Sequence, residues 1–148
     1  MVSHTYWLAI LDGKHCCLHK ATVTRRGGCR VTAVGEIDNH QPPVEHGRPS
    51  MLDSRLGHHT AVPNHEVEEH TRRFATEAAD WLSRQVKENH ADRLAVCCEP
   101  RMLGFLRRAS PTSLKTIMDE YDVDLATCRA SQLAEHPLVR HIVGLDRS

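Results

Sequence analysis

At 148 residues the chain is long enough for one domain that buries roughly 70% of its unfolded surface, and too short for a second. Its 19 lysines and arginines balance 19 aspartates and glutamates, which excludes attraction of nucleic acid or membrane by net charge and leaves only local electrostatic recognition. No run approaches the roughly 20 apolar residues of a spanning helix, and Met-Val-Ser-His-Thr-Tyr-Trp lacks the pattern of a signal peptide, so the expectation is a cytoplasmic protein with no membrane partner.

In chain order, Tyr6 to Leu11 is an apolar run closed by Asp12-Gly13, a strong turn signal, and His15 to Ala21 resumes a strand-like pattern, which predicts a hairpin. Arg26-Gly27-Gly28 supplies a second turn, and Arg30 to Ile37 alternates as a half-exposed strand does. Three antiparallel strands are therefore expected first. Residues 38–63 lose all periodicity under Pro, Gly, His, Asn and Ser and read as a long loop, a length that usually has a functional reason. Asn64 then suits an N-cap, with Glu66, Glu68 and Glu69 near the positive helix start.

The helix that follows places Val67, Phe74, Ala75, Ala78, Trp81, Leu82 and Val86 on one side and Arg72, Arg73, Asp80, Arg84 and Lys87 on the other. Leu94 to Cys98 is continuously apolar, as a central strand buried on both faces requires. Two short helices are expected next, the second capped by Ser110 with Pro111 at its first position. Asp122 to Cys128 reads as a last strand, and Ser131 opens a final helix that Pro137 shortens or displaces. Together these predict a single α/β domain over 1–148, a mixed central sheet with helices packed on it.

The six cysteines include two adjacent pairs inside apolar, strand-like runs, where free thiols behave as small buried hydrophobes, so reduced cysteines are expected. No metal is expected either. His65 and His70 in His-Glu-Val-Glu-Glu-His are five apart, whereas the zinc-protease motif needs four, and neither cysteine pair has the two-residue gap of a zinc knuckle. Asp12 and Glu36 are carboxylates that could approach one another, but Asp-Gly is expected in a turn regardless. No phosphate loop, dinucleotide fingerprint or serine elbow is present, so no cofactor is implied. With 12 histidines, the chain becomes distinctly basic on mild acidification.

Four segments carry a family resemblance: Trp7-Leu8-Ala9-Ile10-Leu11-Asp12-Gly13, Leu52-Asp53-Ser54-Arg55-Leu56-Gly57, Phe74 through Leu82, and Glu99-Pro100-Arg101-Met102-Leu103-Gly104-Phe105-Leu106-Arg107. With them the chain resembles the bacterial host-attachment protein family over nearly its whole length. That family is similar to the middle domain of eukaryotic and archaeal peptide-release factors and of ribosome-rescue factors, which implies a ribonuclease-H-like architecture. In the release factors the long loop carries a Gly-Gly-Gln motif that admits water to peptidyl-tRNA. Here Ser54-Arg55-Leu56-Gly57-His58-His59-Thr60 has no Gly-Gly pair and no Gln, so hydrolysis by that motif is not expected.

Two candidate sites emerge. Arg55, Gly57, His58 and His59 on the loop offer cationic and hydrogen-bonding groups to an RNA end, with Asp53 orienting Arg55; the plainer reading is that Asp53 and Arg55 only organise the loop. After the central strand, Arg101, Arg107 and Arg108 suit phosphate, with Pro100 shaping the turn and Gly104 allowing close approach at a helix start; alternatively the arginines merely solvate the helix. The functional expectation is a non-catalytic binding module whose partners are the ribosome or tRNA. The alternatives are an ester or peptidyl-tRNA hydrolase using His58 or His59, and an assembly factor in host attachment, with a homo-oligomer as one form of it.

Overall fold

The computed structural model describes residues 4–39 and 61–145, of which 61–67 are described by backbone alone. β1 (Thr5–Leu11) and β2 (His15–Val23) pair antiparallel from Thr5 opposite Thr22 to Leu11 opposite Cys16. Asp12 builds the turn between them. Its Oδ1 accepts from the backbone N–H groups of Lys14 and His15, each at 2.7 Å, the local bonding that suits short acidic side chains to turns. At the next turn Gly27 has φ +82°, a left-handed conformation that glycine adopts without steric cost.

β3 (Cys29–Asp38) then returns antiparallel to β2, and its register slips between Leu18, opposite Gly35, and His19, opposite Ala33. Val34 is left over as a bulged residue, 41% exposed, on this outer strand. Gly35 beside it has a packing reason: a Cβ there would meet Trp81 Cζ2 at 3.3 Å.

α1 (Ala61–Glu88) crosses from β3 to the middle of the sheet. It begins three residues ahead of the expected cap, so Asn64 lies inside the helix and Pro63 in its first turn. Proline is tolerated there because first-turn N–H groups have no intrahelical acceptor to lose. The glutamates consequently fall beyond the first turn, which contains no acidic residue. Phe74, Ala75, Ala78, Ala79 and Leu82 are fully buried at 0% exposure, and the small alanines let the helix sit close on the sheet. Arg72, Arg73, Asp80, Arg84 and Lys87 are exposed, as the helical period dictates.

The helix ends with His90 at φ 54°, where Ala91 N–H donates to the Val86 carbonyl at 2.9 Å in a Schellman-type closure.

β4 (Leu94–Cys97) is buried at all four positions and lies between β1 and β5 (Met118–Tyr121), parallel to both. The sheet order is β3-β2-β1-β4-β5. Between the last two strands run α2 (Pro100–Ala109) and the short α3 (Thr112–Lys115). α4 (Ala130–Glu135) and α5 (Pro137–Ile142) close the chain. One face of the sheet, with Ala9, Leu11, Leu18, Leu94 and Val96, packs on α1, α2 and α3; the other, with Leu8, Ile10, Ala21 and Cys97, is covered by Leu125, Leu133, Val139 and Val143.

Three expectations for the second half need correction. Ser110 does not cap the following helix: its hydroxyl donates back to the Leu106 carbonyl at 2.7 Å, and Pro111 is the cap residue. The last strand is Met118–Tyr121, not 122–128. Asp124 accepts from Ala126 N–H at 3.0 Å, so this Asp-Val-Asp-Leu alternation belongs to turns that fold Val123 and Leu125 over the sheet face. Ser131 does not open the final helix: α4 starts at Ala130 and stops at Glu135, shortened ahead of Pro137, and Pro137 starts a further helix because its missing N–H is free of cost at a first position.

Candidate functional site

Asp53, Arg55, Gly57, His58 and His59, and all of 40–60, lie outside the described residues. The 99–108 segment is α2 and its cap. Leu103 N–H returns to the Glu99 carbonyl at 3.0 Å, and Pro100 takes the first position, so the proline does shape the strand-to-helix turn. Met102, Leu103, Phe105 and Leu106 are buried while Arg101, Arg107 and Arg108 are exposed.

The helical period separates those arginines. Arg101 is near the start of α2, whereas Arg107 and Arg108 occupy its last turn, and Gly104 lies in the middle of the helix, not at its start. A Cβ at Gly104 would lie 3.7 Å from Arg108 Nη2, an ordinary contact, so no close approach depends on this glycine. Arg107 turns toward β5 and grips Glu120 through two bonds, 3.0 Å and 2.5 Å. The guanidinium holds the Glu120 carboxyl below its usual range, and the carboxylate in turn raises Arg107. Arg107 is thereby occupied.

Arg101 and Arg108, seven residues apart on one helix face, turn instead toward α1. Arg101 pairs with Glu68. Arg108 places its guanidinium over the Phe105 ring, 5.5 Å from the centroid, and Arg72 of α1 does the same at 5.5 Å while pairing with Glu69 at 2.8 Å. Arg73 also reaches Glu69, at 3.3 Å. The α1–α2 seam therefore carries four arginines against two glutamates, with one aromatic ring holding two of the guanidiniums. Ion pairs this exposed are individually weak, so a phosphate can replace the carboxylates. By sequence alone Arg72 is a solvated residue of α1, because its place beside Phe105 depends on how the two helices dock.

A second constellation lies at the carboxyl end of β1. A cleft of about 260 Å³ is lined by Asp12, His15, Cys17, His19, Glu36 and Cys128 beside Ile10, Leu125 and Ala126. Cys17 Sγ stands 3.6 Å from His19 Nε2, and Glu36 is the cross-strand neighbour of Cys17. Burial raises the Cys17 thiol, with Glu36 adding to it, and burial lowers His19 against a smaller opposing effect of Glu36. Burial thus favours the neutral form of both groups, and which of Sγ and Nε2 donates across the contact follows the His19 tautomer.

His19 is 7% exposed and its Nδ1 has no partner among the described residues. Nearer the rim, His15 Nδ1 meets Asp38 Oδ1 at 2.6 Å, a bond that raises the His15 pKa. Cys17 and His19 share a face by the two-residue strand period, a signal present in the sequence; the position of Glu36 is set by the strand register.

Asp12 and Glu36 do line this one cleft, but Asp12 Oδ1 is engaged by the turn, and among the described residues no three His, Cys, Asp or Glu side chains are grouped to hold a metal. All six cysteines are free thiols. The paired ones face opposite ways, Cys97 and Cys98 into the two cores, and burial pushes each up to about 12, which keeps them inert. No helix among the described residues is long and apolar enough to cross a membrane.

The family model described as "Protein required for attachment to host cells" matches residues 7–136, most of the chain and all of both clusters just described, so the chain belongs to that family. No curated protein matches the sequence.

Proposed function

We propose that this member of the host-attachment family is a binding module for RNA or the translation machinery, related to the release-factor middle domain but without its Gly-Gly-Gln chemistry. The observation that carries this reading is the placement of Arg72 and Arg108 on the Phe105 ring, with Arg101 on the same seam. Guanidiniums are weakly hydrated and stack on aromatic rings, so the ring holds two phosphate-binding forks in place without neutralising them. In a chain of zero net charge, four arginines on one seam are the kind of local patch that phosphate recognition needs. The hairpin and third strand followed by a long helix that crosses to a buried parallel strand support the ribonuclease-H-like resemblance.

Co-sedimentation with ribosomes and tRNA at low and moderate salt tests the proposal. Wild type is expected to bind, with affinity falling as salt rises, and Arg72→Ala/Arg108→Ala to lose binding while retaining its circular dichroism spectrum. Arg55→Ala/Arg101→Ala probes residues 46–60 and the other end of the seam in the same assay. Binding unchanged in both double variants, or absent from wild type, refutes the reading.

The Cys17–His19 contact supports a second reading, a thiol hydrolase of an ester such as peptidyl-tRNA. On it, His19 Nε2 takes the thiol proton as sulfur attacks the ester carbonyl, the alcohol leaves with that proton, and water cleaves the thioester. Burial of the thiol opposes this chemistry at rest. Ester cleavage by wild type that vanishes in Cys17→Ser would establish it, and cleavage that vanishes only when His58 and His59 are replaced would assign it to the loop. Attachment that survives all these variants points to an assembly role.

A further inference from the structure

At the opposite end of β1 from Cys17 and His19 lies a cleft of about 660 Å³, formed by the first residues of β1, the turn after α1, and β5. The chain contains only two Trp, two Tyr and two Phe; Tyr6 and Tyr121 line this cleft from one face of the sheet, and Trp7, whose side chain packs toward the other face, borders it. The other three are committed to packing: Phe74 and Phe105 are buried, and Trp81 rests on Gly35. Both tyrosines are only half-buried, so part of each remains open at the cleft. The volume falls within the roughly 300–1,000 Å³ typical of small-molecule sites.

The polar groups around the rings narrow the ligand. Asn89 commits its amide Nδ2 to the Gln85 carbonyl at 2.8 Å, which leaves its oxygen to accept. Asp92 and Asp119 add carboxylates to the lining. Arg93 is held on Asp119 through contacts of 2.5 Å and 3.3 Å, but with the two side chains 63% and 40% exposed the pair is weak, and a phosphate at the rim can replace the carboxylate. Aromatic faces for a planar ring, acceptors for an exocyclic amino group and one cation for an anionic tail describe the chemistry of a nucleotide.

We infer that this cleft binds the base of a nucleotide, stacked on Tyr6 and Tyr121 with its phosphate beside Arg93, and prefers amino-bearing adenine, guanine or cytosine to uracil. The inference uses none of the arginines of the α1–α2 seam and stands apart from the function proposed above. A base in this position comes either as a free mononucleotide or as an unpaired residue of an RNA strand.

Tryptophan fluorescence in a Trp81→Phe background leaves Trp7 as the single reporter. Titration with AMP, GMP, CMP, UMP, adenosine and a short single-stranded oligoadenylate is expected to give saturable quenching, with AMP at a Kd below about 1 mM and UMP weakest. Tyr121→Ala should weaken AMP at least roughly tenfold, the loss of one stacking partner. Arg93→Gln, a change at an exposed site that leaves the core intact, should weaken AMP but not adenosine. Arg72→Ala/Arg108→Ala should bind AMP as wild type does. Tighter binding of the oligomer than of AMP identifies RNA as the source, and equal binding a free nucleotide. No saturable quenching by any of these ligands, or AMP affinity indifferent to both Tyr121→Ala and Arg93→Gln, overturns the inference.

Discussion

Replacing His19 by leucine should stabilise the protein. His19 is 7% exposed, its Nδ1 has no partner among the described residues, and its Nε2 meets only the Cys17 sulfur, a weak hydrogen-bond partner, at 3.6 Å. An unpaired buried polar group costs about 1–3 kcal/mol, and leucine fills a similar volume without it. Allowing for imperfect repacking and loss of the thiol contact, His19→Leu should gain about 1 kcal/mol at pH 7.5, raising Tm by roughly 2–4 °C.

The gain should also depend on pH. Burial lowers the folded pKa of His19 below its unfolded value of about 6.5, so the unfolded chain takes up the proton first on acidification. The wild-type contribution from His19 is therefore complete above about pH 6.5 and is lost as pH falls through the folded pKa. His15 runs the other way: Asp38 raises its pKa, so its contribution is complete below about pH 6.5 and fades as pH rises through the folded value. His15 and the remaining histidines are common to both proteins and cancel in the difference. Urea unfolding of the two proteins at pH 7.5 and 5.5 should show the stability gap widening in favour of leucine at the lower pH. A variant less stable than wild type by more than about 1 kcal/mol at pH 7.5, or a gap that does not move with pH, refutes the reasoning.

Three further outcomes follow from the packing and charge geometry. Leu82→Ala removes a side chain with 0% exposure from the α1–sheet core and should lower the urea-derived stability by about 2–5 kcal/mol, a large share of the total for one domain. Gly35→Ala places a methyl 3.3 Å from Trp81 Cζ2 and should cost about 1 kcal/mol, with a shifted Trp81 emission that an unstrained site would not show. Arg107→Gln removes the partner that lowers the Glu120 carboxyl, so an NMR titration should find the Glu120 pKa moved up toward its ordinary range; an unchanged value means that the two side chains do not pair in solution.

The two candidate regions differ in how chemistry is assembled. On the α1–α2 seam, charge is gathered from two helices and held by one ring, an arrangement suited to binding without reaction. Around Cys17 and His19 a nucleophile and a base touch, but burial disfavours the charged form of each, and reaction there requires a substrate that changes that environment. The two are separable by mutation because they lie on opposite faces of the sheet.

Local patterns determined most of the elements. Asp12-Gly13 specified the first turn because an aspartate can satisfy two backbone N–H groups by itself, and the apolar run Leu94 to Cys98 specified a strand buried on both faces because nothing in it tolerates water. The stripe from Phe74 to Leu82 identified the face of α1. Boundaries were less legible. Asp-Val-Asp-Leu alternates equally well as a strand or as successive turns, and only the pairing of Met118–Tyr121 with β4 decided between them.

Site assembly was decided by tertiary structure throughout. Arg101 meets Glu68 across 33 residues, Arg93 meets Asp119 across 26, and Arg107 meets Glu120 across 13, so what each arginine meets depends on helix docking and strand pairing that composition does not encode. The two-residue period already put Cys17 and His19 on one face. Glu36 joins them through a register that slips at Val34, and Tyr6 and Tyr121 reach one cleft because β1 and β5 flank β4. Short-range periodicity sets which way a side chain points, and long-range pairing sets what it meets there.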